Sequence, residues 1–111
     1  MKRFIPFVSG PPLVAVIRLH GVIASGAKPG TLNDATLAPL IEKAFRKGKP
    51  KAVALLINSP GGSPVQSSLI AARIRGLAEE HDIPVHAFVE DVAASGGYWL
   101  ACVGDHIWLD D

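Results

Sequence analysis

Apolar residues follow two rhythms along this chain. Leu13-Val14-Ala15-Val16-Ile17 and Ala52-Val53-Ala54-Leu55-Leu56-Ile57 are unbroken runs of strand length, and residues 84–89 read as a third strand with His86 among its apolar residues. Between them, apolar residues recur three and four positions apart. Leu37, Leu40, Ile41, Ala44 and Phe45 form one stripe, with Glu42, Lys43, Arg46 and Lys47 opposite, so the spacing predicts an amphipathic helix. Thr36 is its expected N-cap, Pro39 falls in its first turn, and Gly48 is its expected stop. A second helix has a better-marked start: Ser63 as cap, Pro64 at the first helical position, and Gln66 placed to complete a capping box. It should run to about Glu80. Its apolar residues form two rows, Val65/Leu69/Ala72 and Ile70/Ile74/Leu77, which predicts cover on two sides.

Continuous apolar runs of this length belong to strands buried on both faces, as in a parallel sheet with residues 52–57 at its centre. Residues 106–109 add a fourth strand, while residues 22–24 continue the first strand or turn off it, and residues 25–31 read as loop. Strand–helix–strand–helix–strand order implies parallel pairing with right-handed crossovers. The expected architecture is α/β, one domain over residues 13–111 behind an N-terminal extension of residues 1–12.

Composition narrows the function classes. A chain of 111 residues, 49% hydrophobic and 19% charged, can bury one core and is not of disordered type. The formal net charge of +1 gives no footprint for nucleic acid. The basic run Arg46-Lys47-Gly48-Lys49-Pro50-Lys51 reads as the solvated end of the first helix. One cysteine excludes an intramolecular disulfide, and the four histidines show no metal-ligand spacing, so neither metal nor cofactor is expected. After Lys2 and Arg3, the apolar residues Phe4, Ile5, Phe7 and Val8 are broken up by Pro6, Ser9, Gly10, Pro11 and Pro12 before a signal peptide can form. No stretch approaches the roughly 18 apolar residues needed to span a bilayer.

Candidate chemistry sits in two glycine-rich turns. Asn58-Ser59-Pro60-Gly61-Gly62 follows the central strand and precedes a helix start, where backbone N–H groups lack partners and negative charge is favoured. Consecutive glycines let a carbonyl oxygen approach that backbone without meeting a Cβ, the requirement of an oxyanion hole; an ordinary strand-to-helix loop would also use them. Ala93-Ala94-Ser95-Gly96-Gly97 follows the next strand and presents a serine between small residues. There the N–H of Gly96 can join an oxyanion hole, although Ser95 as a simple helix cap fits the same pattern. His86 reads as a packed core histidine, Cys102 as a buried small hydrophobe, and Asp91 as a solvating residue of the serine turn.

The two turns in this order, Asn58-Ser59-Pro60-Gly61-Gly62 and Val92-Ala93-Ala94-Ser95-Gly96-Gly97-Tyr98, resemble those of the S49 peptidases, the family of signal peptide peptidase A and SohB-like proteases. Residues 16–23 and 101–107 support the resemblance. It implies a Clp/crotonase-like fold of ββα units with a mostly parallel sheet, Ser95 as nucleophile, and Gly61, Gly62 and Gly96 around the oxyanion. It also implies peptide substrates, a homo-oligomer, and a cytoplasmic location or one peripheral to the inner membrane. The family's base is a lysine several tens of residues after the serine, able to act because burial lowers its pKa. This sequence has no lysine after Lys51, so the base is expected beyond Asp111 and the domain is read as C-terminally incomplete. A crotonase-like acyl-CoA enzyme and an inactive assembly module are the alternative readings.

Overall fold

The computed structural model of the protein describes residues 13–26, 29–90 and 103–109. Four parallel strands form the main sheet: β1 (Val14–His20), β4 (Ala52–Asn58), β5 (Val85–Val89) and β6 (His106–Leu109), in the spatial order β1-β4-β5-β6. A parallel pair, β2 (Val22–Ile23) and β3 (Thr31–Leu32), branches off after β1. The helices are α1 (Asp34–Arg46), between β3 and β4, and α2 (Pro64–His81), between β4 and β5. This is the α/β architecture with a parallel sheet that the apolar rhythm predicts, and it agrees with a Clp/crotonase-like fold.

From β1 through β4 to β5 the sheet grows in one direction. Right-handed crossovers then place both helices on the same face. The core lies there: Ile17 and Leu19, Val53, Leu55 and Ile57, and Val85, Ala87 and Val89 pack with Leu37, Ile41 and Phe45 of α1 and Ile70, Ile74 and Leu77 of α2. The opposite face carries Val14, Val16, Phe88 and Trp108, all exposed, with Trp108 at 54%. This corrects the expectation that the first and third strands are buried on both faces; among the described residues only one face is covered. It also corrects the reading of His86, which sits on the open face. Its ring stacks on His106 at 4.9 Å and its Nδ1 accepts a hydrogen bond from Trp108 Nε1 at 3.5 Å.

The helix starts carry two further corrections. Asn33, not Thr36, caps α1, its Oδ1 accepting from Thr36 N at 2.8 Å. Pro39 therefore lies inside the helix instead of in its first turn. Both it and Ala35, the residue whose carbonyl loses a helical partner, are exposed, so water can supply the missing donor. Leu40 is 60% exposed, which narrows the buried stripe to Leu37, Ile41 and Phe45. Ser63 caps α2 as expected, accepting from Gln66 N, but Gln66 does not close a capping box. Its Oε1 accepts from Asp34 N at 2.8 Å, joining the two helix starts.

The same seam holds the shortest ion pair among the described residues. Arg73 grips Asp34 through Nε and Nη2 at 2.8 and 2.9 Å and reaches Glu42 through Nη1 at 3.1 Å. Residues that separate the two apolar rows of α2 in the sequence thus form a polar clasp between helices. Of those rows, Ile70/Ile74/Leu77 is buried, while Val65, Leu69 and Ala72 are exposed among the described residues. At the other end of α2, Arg75 meets Asp105 at 3.3 Å, and Asp105 Oδ2 accepts from Val85 N at 2.7 Å, tying β6 to the start of β5.

Two measurements follow from this packing. Phe45→Ala, deep in the core, should cost about 3–5 kcal/mol in denaturant unfolding, and Leu40→Ala under about 0.5 kcal/mol. Equal costs would contradict the helix phase. Asp34 is held below the usual carboxylate range chiefly by its hydrogen bonds from Arg73, and Asp105 chiefly by the Val85 N–H. A lowered folded-state pKa stabilises above the unfolded value and is lost as pH falls through the folded one. Stability should therefore decline on acidification below about pH 4, and Asp34→Asn should flatten that decline.

Candidate active site

The carboxyl ends of parallel strands are where α/β folds build their sites, because loops there are free to vary over a fixed sheet. Here β4 ends at Asn58 and runs straight into the first glycine turn. Ser59 is completely buried, and its Oγ accepts from Gly61 N at 3.1 Å, tightening the bend. The turn is then stitched to β2 on both sides of Gly62: Ile23 N donates to Gly61 O at 2.8 Å and Ser63 N donates to Ile23 O at 2.7 Å. Together these bonds make Ile23 and Gly62 a parallel bridge.

Glycine is required at this point for two reasons. Gly61 and Gly62 have φ of 98° and 142°, in the left-handed range that side chains disfavour. A Cβ on Gly62 would lie 2.0 Å from Ile23 O. The two glycines also differ in what they offer. Gly61 is buried and its N–H is already bonded to Ser59, whereas Gly62 is exposed and its N–H has no hydrogen-bond partner among the described residues. Immediately beyond, Ser63 opens α2, whose N-terminal dipole adds positive potential.

β5 is the neighbour of β4, paired Ile57 to Val89, and Glu90 N donates to Ile57 O at 2.8 Å. The chain that carries the second turn therefore leaves the sheet beside the first. Ser95 and Gly96, like Asp91 and Cys102, lie outside the described residues. Between the two exits, Asn58 Oδ1 is buried without a partner among those residues. Across the same row, His20 Nε2 stands 3.5 Å from Glu90 Oε1. Periodicity offers no signal for this pair, because 70 residues separate its members in sequence (90 − 20) and only the strand order brings them together. Among the described residues no cluster of three metal-ligating side chains occurs.

The family model for peptidase family S49 matches residues 78–111, the stretch from the end of α2 through the serine turn to β6. Protease 4 of Haemophilus influenzae is 35% identical over 101 residues, covering 90% of this chain, and the chloroplastic serine protease SPPA of Arabidopsis thaliana is 41% identical over 111 residues, covering 96%. This chain belongs to peptidase family S49. It spans 16% of the length of each of those two relatives. A further relative, the Na(+)/H(+) antiporter NhaA of Brucella melitensis, is 52% identical over 115 residues, covering 99% of this chain and 16% of its own length. No described helix here is long and apolar enough to cross a membrane.

The loop geometry can be checked by substitution. Gly62→Ala should destabilise the protein measurably in thermal unfolding, since its Cβ must displace the Ile23 backbone. Gly76→Ala, in the interior of α2 with open space around it, should instead stabilise by up to about 1 kcal/mol.

Proposed function

We propose that this chain supplies the oxyanion hole and the nucleophile of a serine endopeptidase of signal-peptide-peptidase type. The observation that carries the reading is the exposed N–H of Gly62, without a partner among the described residues and fixed by the Ile23 bridge beside the strand that leads into Ala93-Ala94-Ser95-Gly96-Gly97. A donor held rigidly before reaction loses no orientation energy as charge develops on the substrate oxygen. Ser95 is assigned as the nucleophile, attacking the scissile carbonyl to give an acyl-enzyme. Gly62 N–H, with Gly96 N–H, receives the oxyanion. Gly61 is assigned a shaping role, because Ser59 occupies its N–H.

The Ser–Lys dyad is completed in this reading by a lysine outside the 111 residues, since the five lysines between Lys28 and Lys51 all precede both turns. The substrates are extended peptides with small or apolar side chains next to the cleaved bond, in an oligomer cytoplasmic or peripheral to a membrane. The 111-residue chain alone is expected to be inactive.

The test uses a chain extended by its natural coding sequence beyond Asp111, assayed for cleavage of an apolar peptide. Ser95→Ala should lower kcat by at least about 10³-fold with unchanged unfolding behaviour. Blocking the Gly62 N–H by backbone ester substitution should cost about 10²–10³-fold in kcat. Full cleavage by Ser95→Ala would overturn the assignment, and tight coenzyme A binding would turn it towards the acyl-CoA reading.

A further inference from the structure

β1 is the free edge of the main sheet among the described residues. Leu13 O accepts from Lys51 N, and Gly21 N donates to Asn58 O, so the odd-numbered residues of this strand turn their backbone groups towards β4. By alternation, the N–H and C=O groups of Val14, Val16 and Arg18 point outward from the sheet. A groove of about 760 Å³ wraps this edge, reaching the open sheet face at Val16 and Arg18 and the α1 side at Leu40, Lys43, Ala44 and Lys47.

Its walls are apolar and its charges are of one sign. Among the described residues none of Arg18, Lys43 and Lys47 forms an ion pair, although Arg46, Arg73 and Arg75 all do. Among the described residues no acidic side chain lines the groove. Leu40 and Val16 stand 60% and 53% exposed beside unpaired backbone, the arrangement that invites an added strand. Pairing with β1 of a second copy would bring two sets of these cations together, which like-charge repulsion opposes.

We infer that the β1 edge is a docking site for an extended acidic–apolar peptide segment of another protein, added to the sheet as a further strand. Its backbone pairs with Val14, Val16 and Arg18. Side chains on one face of the segment continue the apolar surface of Val14, Val16 and Leu56. Those on the other face point towards Lys43 and Lys47, where glutamate or aspartate is the complement. This site is separate from the glycine turns, and its occupancy does not depend on the peptidase reading.

The probes are fluorescein-labelled eight-residue peptides of alternating Glu and Val, or alternating Lys and Val, titrated against the full chain by anisotropy with parallel amide NMR. The Glu/Val peptide should saturate, shift the Val14, Val16 and Arg18 amides, and bind at least about tenfold more tightly than the Lys/Val peptide. Lys43→Glu with Lys47→Glu, both exposed, should reverse that order. N-methylation of alternate peptide residues keeps the side chains and removes backbone donors, and should abolish binding without altering the protein. Several outcomes would overturn the proposal: no saturation, equal affinity for both charges, undiminished binding of the N-methylated peptide, or binding that appears only after residues 1–12 are removed. A dimer in sedimentation that the Glu/Val peptide cannot dissociate would overturn it too, making a second copy the occupant.

Discussion

The backbone pairing of β4 with a strand on either side is the constraint on which everything else here depends. It aligns Ile17, Leu55 and Ala87 in one row and Leu19, Ile57 and Val89 in the next, so the core face is continuous across three strands. A slip of one residue would turn each of these side chains to the uncovered face and withdraw its burial. The same register brings the carboxyl ends of β1, β4 and β5 level, with His20 opposite Asn58 and Glu90 next to both. The glycine turn starts from that line and inherits its position.

Cover on one face only, among the described residues, is the second consequence. With strands added in a single direction, right-handed crossovers cannot deliver a helix to the other side. The two helices consequently share a face and need a seam between them, which Gln66 supplies by accepting from Asp34 N and Arg73 by charge-assisted bonds to Asp34 and Glu42. Phe88 stacks on Trp108 across the uncovered face at 6.2 Å, which shields part of each ring from water. The apolar and cationic edge at β1 has the same origin, because a sheet that grows away from its first strand leaves the outer edge of that strand without a neighbour among the described residues.

Membership of family S49 agrees with the way the first turn is built. An oxyanion donor must be free, exposed and immobile. Gly62 meets all three conditions because its neighbours on both sides are bonded to Ile23 while its own N–H is not. The rigidity comes from β2, a strand of two residues whose only conspicuous feature is where it lies.

Local chemistry written in the sequence was sufficient for much of this. The strand runs, the start of α2 at Ser63-Pro64, the stop of α1 at Gly48 and the first glycine turn are short-range signals, each depending on residues a few positions apart. Which side of each strand would meet water was not legible, since Val, Ile, Phe and Trp read alike whether a helix covers them or not. Asn33 and Thr36 are both favoured cap types, so residue type does not by itself place the start of α1, and the packing of Leu37, Ile41 and Phe45 goes with the start at Asn33. His20 with Glu90, Gln66 with Asp34, and Ile23 with Gly62 are long-range pairs decided by strand order. The sequence by itself determined which elements form and which residues can do chemistry; tertiary structure alone decided which faces are open and which N–H is free, because both depend on what the far parts of the chain come to lie against.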